Sequence, residues 1–123
     1  MADHIIEIKK NAAGALIFRK GAANADALLV RPDDTLAWTC AVGHFAVFFE
    51  QEKSPHKSNA RIRCAHRNET TNPLQIRPAK TGETRPHFKY HVAVLDPRTG
   101  ADELITKDPE IILDDVGGGG GGH

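Results

Sequence analysis

The sequence predicts an all-β protein, a single antiparallel β-sandwich of eight or nine strands. Short runs of β-forming residues recur between turn residues, roughly every 8–12 positions along the 123-residue chain. The clearest run, from His87 to Asp96, alternates apolar and polar side chains and ends at a Pro-Arg-Thr-Gly turn. No segment has a convincing helical pattern, so we expect the strands alone to form the core.

The first half of the chain contains five predicted strands. They centre on 5–9, 14–19, 28–31, 36–40 and 44–50, and they are separated by a loop over 21–26, a Pro-Asp-Asp turn and Gly43. Both faces of the strand from His44 to Glu50 are apolar, which predicts a central strand buried on both sides. Leu36, Trp38 and Cys40 are expected to share one face.

The second half begins with a polar stretch, 51–60, which Pro55 interrupts and which we expect to be an exposed loop. A half-exposed strand follows over 62–66, and 67–86 is expected to be a long surface connection with a short strand near Leu74. In the strand from His87, alternation places Phe88, Tyr90, Val92 and Val94 inward, and His87, Lys89, His91 and Ala93 outward. A turn over Asp96–Gly100 leads to strands near 104–105 and 111–113, with Pro109 at a strand start or edge.

The chain is expected to form one domain over residues 1–116. Residues 117–123, six glycines and a histidine, predict a disordered tail because glycine loses the most backbone entropy on ordering. The sequence contains no run of 18 apolar residues, so we expect no membrane span. Since the N-terminus lacks the pattern of a signal peptide, the cytoplasm is the default location, with export by a route that uses no such signal as the alternative.

The net charge is zero, but the charges are segregated along the chain. Residues 51–95 carry nine Lys/Arg and three Asp/Glu, whereas residues 96–123 carry two and seven. The basic middle and the acidic end are either facing each other across the fold or forming separate surfaces. A net charge of zero also disfavours tight nonspecific binding to nucleic acid.

The basic segment predicts a binding surface. Together its side chains would form one basic face of residues 61–89, which suits an anionic ligand or another protein; the candidate residues are Arg61, Arg63, His66, Arg67, Arg85, His87 and Lys89. We therefore expect a noncatalytic binding or interaction module, a monomer or weak oligomer, with no cofactor. A structural subunit that assembles through its sheet edges is another possibility.

Catalytic patterns are missing from the sequence, whereas a metal site has partial support. The serines have no Gly-x-Ser-x-Gly context, and no glycine-rich phosphate loop precedes a helix. The alternative function is zinc or copper binding by cysteine and histidine, for which the candidates are Cys40, His44, Cys64 and His66. The two cysteines otherwise predict small buried side chains or a disulfide between strands.

Several short motifs also resemble a known group of proteins. They are Trp38-Thr39-Cys40, the segment 43–49, Ser54-Pro55, the segment 89–94 and the segment 108–112. In this order they resemble small uncharacterised bacterial proteins with a cupredoxin-like or immunoglobulin-like β-sandwich, a likeness that covers residues 36–114. The chain departs from that group at His44 and His56, where the group tends to have Pro and Phe.

The resemblance implies a topology and no transferable activity. A blue-copper site needs two His, a Cys and usually an axial Met on a C-terminal loop. The only methionine is Met1, and the last strands contain no cysteine. The cupredoxin-like label therefore describes the fold and not electron transfer.

Overall fold

Strand pairing divides the chain into two sheets that pack face to face. The computed structural model describes residues 2–50, 54–55, 62–97 and 103–114. Within these ranges there are eleven β-strands and no α-helix: β1 (Asp3–Lys10), β2 (Leu16–Lys20), β3 (Ala23–Asn24), β4 (Ala27–Val30), β5 (Thr35–Cys40), β6 (Phe45–Phe49), β7 (Ile62–Ala65), β8 (Leu74–Gln75), β9 (His87–Asp96), β10 (Glu103–Lys107) and β11 (Glu110–Leu113). The predicted all-β sandwich is confirmed, and β8 coincides with the short strand expected near Leu74, whereas the two-residue β3 lies inside the expected loop 21–26.

The smaller sheet has the strand order β3-β2-β1-β5-β8, and the larger has the order β4-β11-β9-β6-β7, with β10 also paired to β9. The expected purely antiparallel pairing is wrong, because β1 pairs with β5, and β4 with β11, in parallel. After β3 the chain crosses to the larger sheet as β4 and returns beside β1 as β5. A crossover of this kind brings a strand back in the same direction, whereas a hairpin reverses it.

Three aromatic rings join the sheets at the centre of the core. Trp38 of β5 lies 5.5 Å from the ring of Tyr90 on β9 and 6.1 Å from the ring of Phe49 on β6, measured between centroids. The Trp38 Nε1–H donates a hydrogen bond to the Tyr90 hydroxyl over 3.2 Å, and both residues have no exposed surface. Edge-on and offset ring contacts of this type add to the gain from burial alone.

The alternation of β9 is confirmed, whereas that of β6 corrects an expectation. Phe88, Tyr90, Val92 and Val94 are buried, and His87, Lys89 and His91 are exposed, with Ala93 half-buried. On β6 only the inward residues are buried, and Ala46 and Phe48 are half-exposed, so this strand is not covered on both faces. Two strands flank β6 within its sheet, but its second face has no layer of strands over it among the described residues.

Gly43 sits where the link between β5 and β6 passes against β9. A Cβ atom at this position would lie 1.9 Å from the carbonyl oxygen of Leu95, which no side chain can tolerate. The close approach lets the Leu95 N–H donate to the carbonyl of His44 over 2.9 Å. A glycine is therefore required at this position because the backbone of β9 leaves no room for a Cβ atom, and not only because the chain turns here.

The inward face of β1 is polar at both ends and apolar in the middle. His4, Ile6, Ile8 and Lys10 alternate with outward residues, and the two isoleucines are buried in the core. At one end the Lys10 ammonium lies 2.5 Å from the fully buried carboxylate of Asp96. The other end is closed by a polar group centred on His4, so each end of the sandwich interior is sealed by charged or polar side chains.

The group at the His4 end consists of a buried carboxylate, an imidazole and an ammonium. Asp34 Oδ2 accepts from His4 Nε2 over 2.7 Å, and the Asp34 carboxylate also accepts from the backbone N–H groups of Ala2 and Arg31. The Lys20 ammonium donates to the second imidazole nitrogen, Nδ1, over 2.7 Å. Burial acts to raise the pKa of Asp34, but the hydrogen bonds from His4 and the two amides outweigh it and lower the pKa below its usual value.

The two cysteines lie in different environments and form no disulfide. Cys40 is buried on β5 of the smaller sheet, as expected, but Cys64 is exposed. The expectation that Cys64 is buried or paired is wrong, because its position on β7 points away from the core. Most of the predicted loop 51–60, the turn residues 98–100 and the tail 117–123 lie outside the described residues. The part of the chain that is described holds no helix long and apolar enough to cross a membrane.

Replacement of Tyr90 by Phe is expected to lower the free energy of unfolding by about 1–3 kcal/mol, because the buried Trp38 N–H loses its acceptor. Urea denaturation measures the change. In the double variant Tyr90→Phe/Trp38→Phe the donor is also gone, so its total loss should be smaller than the sum of the two single losses. Strict additivity would contradict a role for this hydrogen bond.

Replacement of Asp34 by Asn is expected to destabilise the protein in a pH-dependent way. The folded pKa of Asp34 is below its unfolded value of about 3.9, so its contribution is present above that value and is lost as pH falls through the folded pKa. The gap in unfolding free energy between wild type and Asp34→Asn should therefore be largest above about pH 5 and narrow below about pH 4. Urea denaturation from pH 3 to 7 tests this, with the exposed neighbour Asp33→Asn as a charge-matched control. A gap that does not change with pH would contradict the assignment.

Candidate functional site

Some of the predicted functional residues lie on the face of the larger sheet that points away from the smaller sheet: His44, Cys64, His66, His87 and Lys89. We call this surface the outer face. Neighbouring residues across a strand pair point to the same side, so the register defines its members: His44, Ala46, Phe48, Glu50, Ile62, Cys64, His66, His87, Lys89, His91, Ala93, Leu95, Leu104 and Thr106. The buried residues of the same strands face the core.

The centre of the outer face carries small side chains. One row across four strands consists of Thr106, Ala93, Ala46 and Cys64. On one side of it Phe48 lies opposite both His91 and Ile62. Two large apolar side chains are exposed near its edges, Ile62 at 53% and Leu104 at 65%. The face therefore combines an apolar centre with histidines on either side of it.

One end of the outer face contains a groove of about 510 Å³ around His91. Its lining residues are Glu50, Glu83, Pro86, His87, Phe88, Lys89, His91 and Asp108. The imidazole lies between two carboxylates, with Nδ1 2.8 Å from Asp108 Oδ1 and Nε2 3.6 Å from Glu50 Oε1, and it stacks on the Phe48 ring. The hydrogen bond with Asp108 is the main cause that raises the pKa of His91, and Glu50 adds to it against a smaller effect of burial.

Acidic side chains from the end of the chain pair with cations around this groove. The ion pairs join Arg85 to Asp114 at 3.6 Å, His87 to Glu110 at 2.9 Å and His91 to Asp108 at 2.8 Å. Of the two arrangements left open by the charge pattern, facing segments or separate surfaces, facing segments describe this end of the sheet. The groove is consequently mixed in charge and not a basic surface.

The opposite corner of the outer face has fewer acidic side chains beside its basic ones. The rings of His44 and His66 meet edge to face with centroids 4.9 Å apart. The turn after β7 is docked by the Asn68 N–H, which donates to the Cys40 carbonyl, and Asn68 itself has a φ of 68°. This turn brings Arg67 beside the ring pair. We call the group His44, His66 and Arg67 the histidine corner.

The hydrogen bonds of the histidine corner define which groups face solvent. The Arg67 backbone N–H donates to Nδ1 of His44 over 3.2 Å, so the neutral imidazole carries its proton on Nε2. The Arg67 guanidinium is held at Nε by the Ala41 carbonyl, and its terminal nitrogens have no partner among the described residues. His66 has one carboxylate neighbour, Glu69 at 3.3 Å. The corner thus presents several N–H donors and a single acid.

The predicted basic set is divided by the structure. His66 and Arg67 lie together in the histidine corner, and Lys89 is exposed on the outer face. Arg63 points to the other side of β7, where its Nε donates to the Asn72 carbonyl. Arg85 and His87 are paired with carboxylates, as described above, and Arg61 lies outside the described residues. Arg61 to Lys89 therefore do not form one continuous basic face among the described residues.

The four candidate metal ligands are also not brought together. Cys40 is in the buried interior of the smaller sheet, whereas His44, Cys64 and His66 are on the outer face of the larger one. Within the described ranges no three His, Cys, Asp or Glu side chains are arranged to hold a metal ion. The Nδ1 atom of His44 is used as an acceptor, which leaves the protonated Nε2 unsuited to metal binding in this tautomer.

Two residues of the groove were missed from sequence. Glu50 and Asp108 flank His91, yet they are 41 and 17 positions away from it along the chain. The available signal was the pairing of strands, since Phe49 lies opposite Tyr90 and therefore brings Glu50 next to the outward side of β9. That register cannot be read from one strand alone.

The imidazole of His91 is expected to titrate above its ordinary value of about 6.5, because Asp108 and Glu50 stabilise its charged form. The stabilising effect is present below the unfolded value and is lost as pH rises through the folded pKa. Replacement of Asp108 by Asn should lower the pKa of His91, whereas Glu110→Gln, which alters the partner of His87, should leave it in place. NMR titration of the imidazole protons measures both, and a His91 pKa unaffected by Asp108→Asn would contradict the assignment.

The chain matches no protein-family model and no curated protein sequence. Among solved structures it is similar to a pseudoazurin from Sinorhizobium, with 19% identity and a TM-score of 0.48 over 92% of this chain and 74% of that chain. It is also similar to a mutant of amicyanin in its reduced Cu(I) form at pH 4, with 16% identity and a TM-score of 0.45 over 93% and 86% of the two chains. Both are cupredoxins, the class that the motif resemblance names.

These values support no inference about copper, and the described donor set does not fit a blue-copper centre. That centre needs a thiolate beside two imidazoles, but the sequence-predicted ligands are split between the core and the outer face. The assignment of the chain to a β-sandwich rests on its own two sheets and their strand order.

Proposed function

We propose that the protein is a noncatalytic binding module that holds an anionic group of its partner at the histidine corner. The proposal rests on the hydrogen bonding of the Arg67 guanidinium. Its Nε is anchored by the Ala41 carbonyl, and its two terminal nitrogens have no partner among the described residues. A guanidinium fixed in this way offers two parallel N–H donors to a carboxylate or phosphate.

The neighbouring imidazoles add donors to the same place. His44 uses Nδ1 as an acceptor, so its Nε2–H is available to an oxyanion. His66 is in edge contact with His44 and is exposed. Glu69 offsets part of the positive charge through its contact with His66, but among the described residues it makes no ion pair with Arg67. Arg85 and His87 of the predicted basic set are each paired with a carboxylate, whereas Arg67 has no carboxylate against it among the described residues. Lys89 lies farther along the same face.

The outer face favours a protein partner over a small ion. Ile62 and Leu104 are exposed beside the row of small side chains, which extends the contact area beyond the charged corner. Apolar surface next to directed N–H donors is the usual composition of a protein interface. The proposed ligand is therefore an acidic segment of another protein, with its carboxylate or phosphate at Arg67.

Replacement of Arg67 by Gln is expected to weaken binding of an acidic probe about tenfold, because a charge-assisted pair of hydrogen bonds is lost. The probe is a hexa-aspartate peptide, titrated at 0.15 M salt by fluorescence anisotropy and by NMR. Arg19→Gln is the matched control, since it removes the same charge from the smaller sheet.

Three results would contradict the proposal. Equal losses in Arg67→Gln and Arg19→Gln would mean that only the overall charge matters. Chemical-shift changes of the wild type that avoid His44, His66 and Arg67 would place the binding surface elsewhere. Retention on heparin that is lost below 0.15 M salt would likewise count against a specific anion site.

A further inference from the structure

A linear group of three polar side chains closes the sandwich at the His4 end and resembles the arrangement that activates a nucleophile. The Lys20 Nζ is 2.7 Å from His4 Nδ1, and His4 Nε2 is 2.7 Å from Asp34 Oδ2. We propose that Lys20 is a nucleophilic lysine that accepts an acyl group from an activated carboxylic ester, with His4 as its base and Asp34 as the residue that orients the base.

The orientation of the imidazole is determined by its partners. A carboxylate can only accept, so Nε2 of His4 carries the proton that points to Asp34, and Nδ1 presents its lone pair to Lys20. The carboxylate itself is held by the backbone N–H groups of Ala2 at 2.8 Å and Arg31 at 2.9 Å. A nucleophile within hydrogen-bond reach of a base, which a third group orients, is the recurring geometry of nucleophilic sites.

The burial of the group is graded along its length. Asp34 and His4 are buried, whereas Lys20 at the end of β2 is half-buried and can be approached from solvent. A cavity of about 350 Å³, lined by Ala2, His4, Leu29, Arg31 and Asp34, reaches the imidazole. A proton taken up by His4 therefore has a path to solvent through this cavity.

The acyl transfer needs no reagent other than the ester. Lys20 first loses one proton to solvent, and the neutral amine then attacks the carbonyl carbon of the ester, so that a C–N bond forms. A proton on Nζ passes to Nδ1 of His4, the bond from the carbonyl carbon to the leaving oxygen breaks, and the alcohol leaves as its anion. His4 returns its proton to solvent, and Lys20 ends as an amide.

The lysine at the other end of the same interior provides an internal comparison. Lys10 contacts the buried carboxylate of Asp96 directly, with no imidazole between them. A direct carboxylate stabilises the ammonium and offers the reaction a weaker base. If the His4 group acted only as a structural seal, Lys20 would be held as an ammonium in the same way and would react as slowly as Lys10.

The test is acetylation of the full chain by p-nitrophenyl acetate, followed by peptide mass spectrometry over time. We expect Lys20 to be acetylated at least about tenfold faster than the exposed Lys9, and Lys10 to be slower than Lys9. His4→Gln should reduce the Lys20 rate to that of Lys9, and Asp34→Asn should reduce it in part. The rate of Lys9 should stay the same in both variants.

A Lys20 rate no higher than that of Lys9 in the wild type would overturn the proposal, and this comparison needs no variant to fold. Retention of the fast Lys20 rate in a folded His4→Gln protein would overturn the role of the imidazole. Circular dichroism and urea denaturation establish whether each variant is folded. None of these outcomes depends on the histidine corner, which lies on the other sheet.

Discussion

The contact between Trp38 and Tyr90 connects the two sheets, and the placement of the functional face follows from it. Tyr90 can meet the indole only if its side of β9 faces the core. Because side chains alternate along a strand, that choice sends His87, Lys89 and His91 to the outer face. Phe49 also contacts Trp38, so its side of β6 faces the core, and alternation along the chain directs His44 outward. A single aromatic cluster in the core thus decides which histidines can meet a ligand.

Strand order explains why the two ends of the outer face differ in charge. Strands β10 and β11 both pair with β9, so Asp108, which lies between them, reaches the imidazole of His91, and Glu110 of β11 reaches that of His87. The edge strand β7 lies beyond β6, three strand spacings or roughly 14 Å from β10. Arg67, which follows β7, is out of reach of those carboxylates. Charges that cancel over the whole chain therefore remain separated on its surface.

Local sequence patterns predicted which side chains of a single strand are buried, but they failed to predict contacts between strands that are distant in the sequence. The alternation of β9 correctly indicated both the burial of Tyr90 and the exposure of His91. Cys64 was misjudged because a strand at a sheet edge shows the same alternation as an inner one. The contact of His4 with Asp34 spans 30 residues and depends on the parallel pairing of β1 with β5, which no local pattern specifies. The parity of His4 with the two buried isoleucines of β1 was the one available hint.

The polar ends of β1 also act as marks of register. A slip of the strand would be tolerated at one core position, because Ile5 could replace Ile6 with little loss. A shift by one residue would, however, bring Glu7 and Lys9 inward and remove both His4 from Asp34 and Lys10 from Asp96. The pairs of His4 with Asp34 and of Lys10 with Asp96 would then be lost, and the charged Glu7 would enter the core, which makes this alignment costly. The polar contacts at the two ends of β1 therefore fix the register of the strand, while the isoleucines between them supply its buried apolar surface.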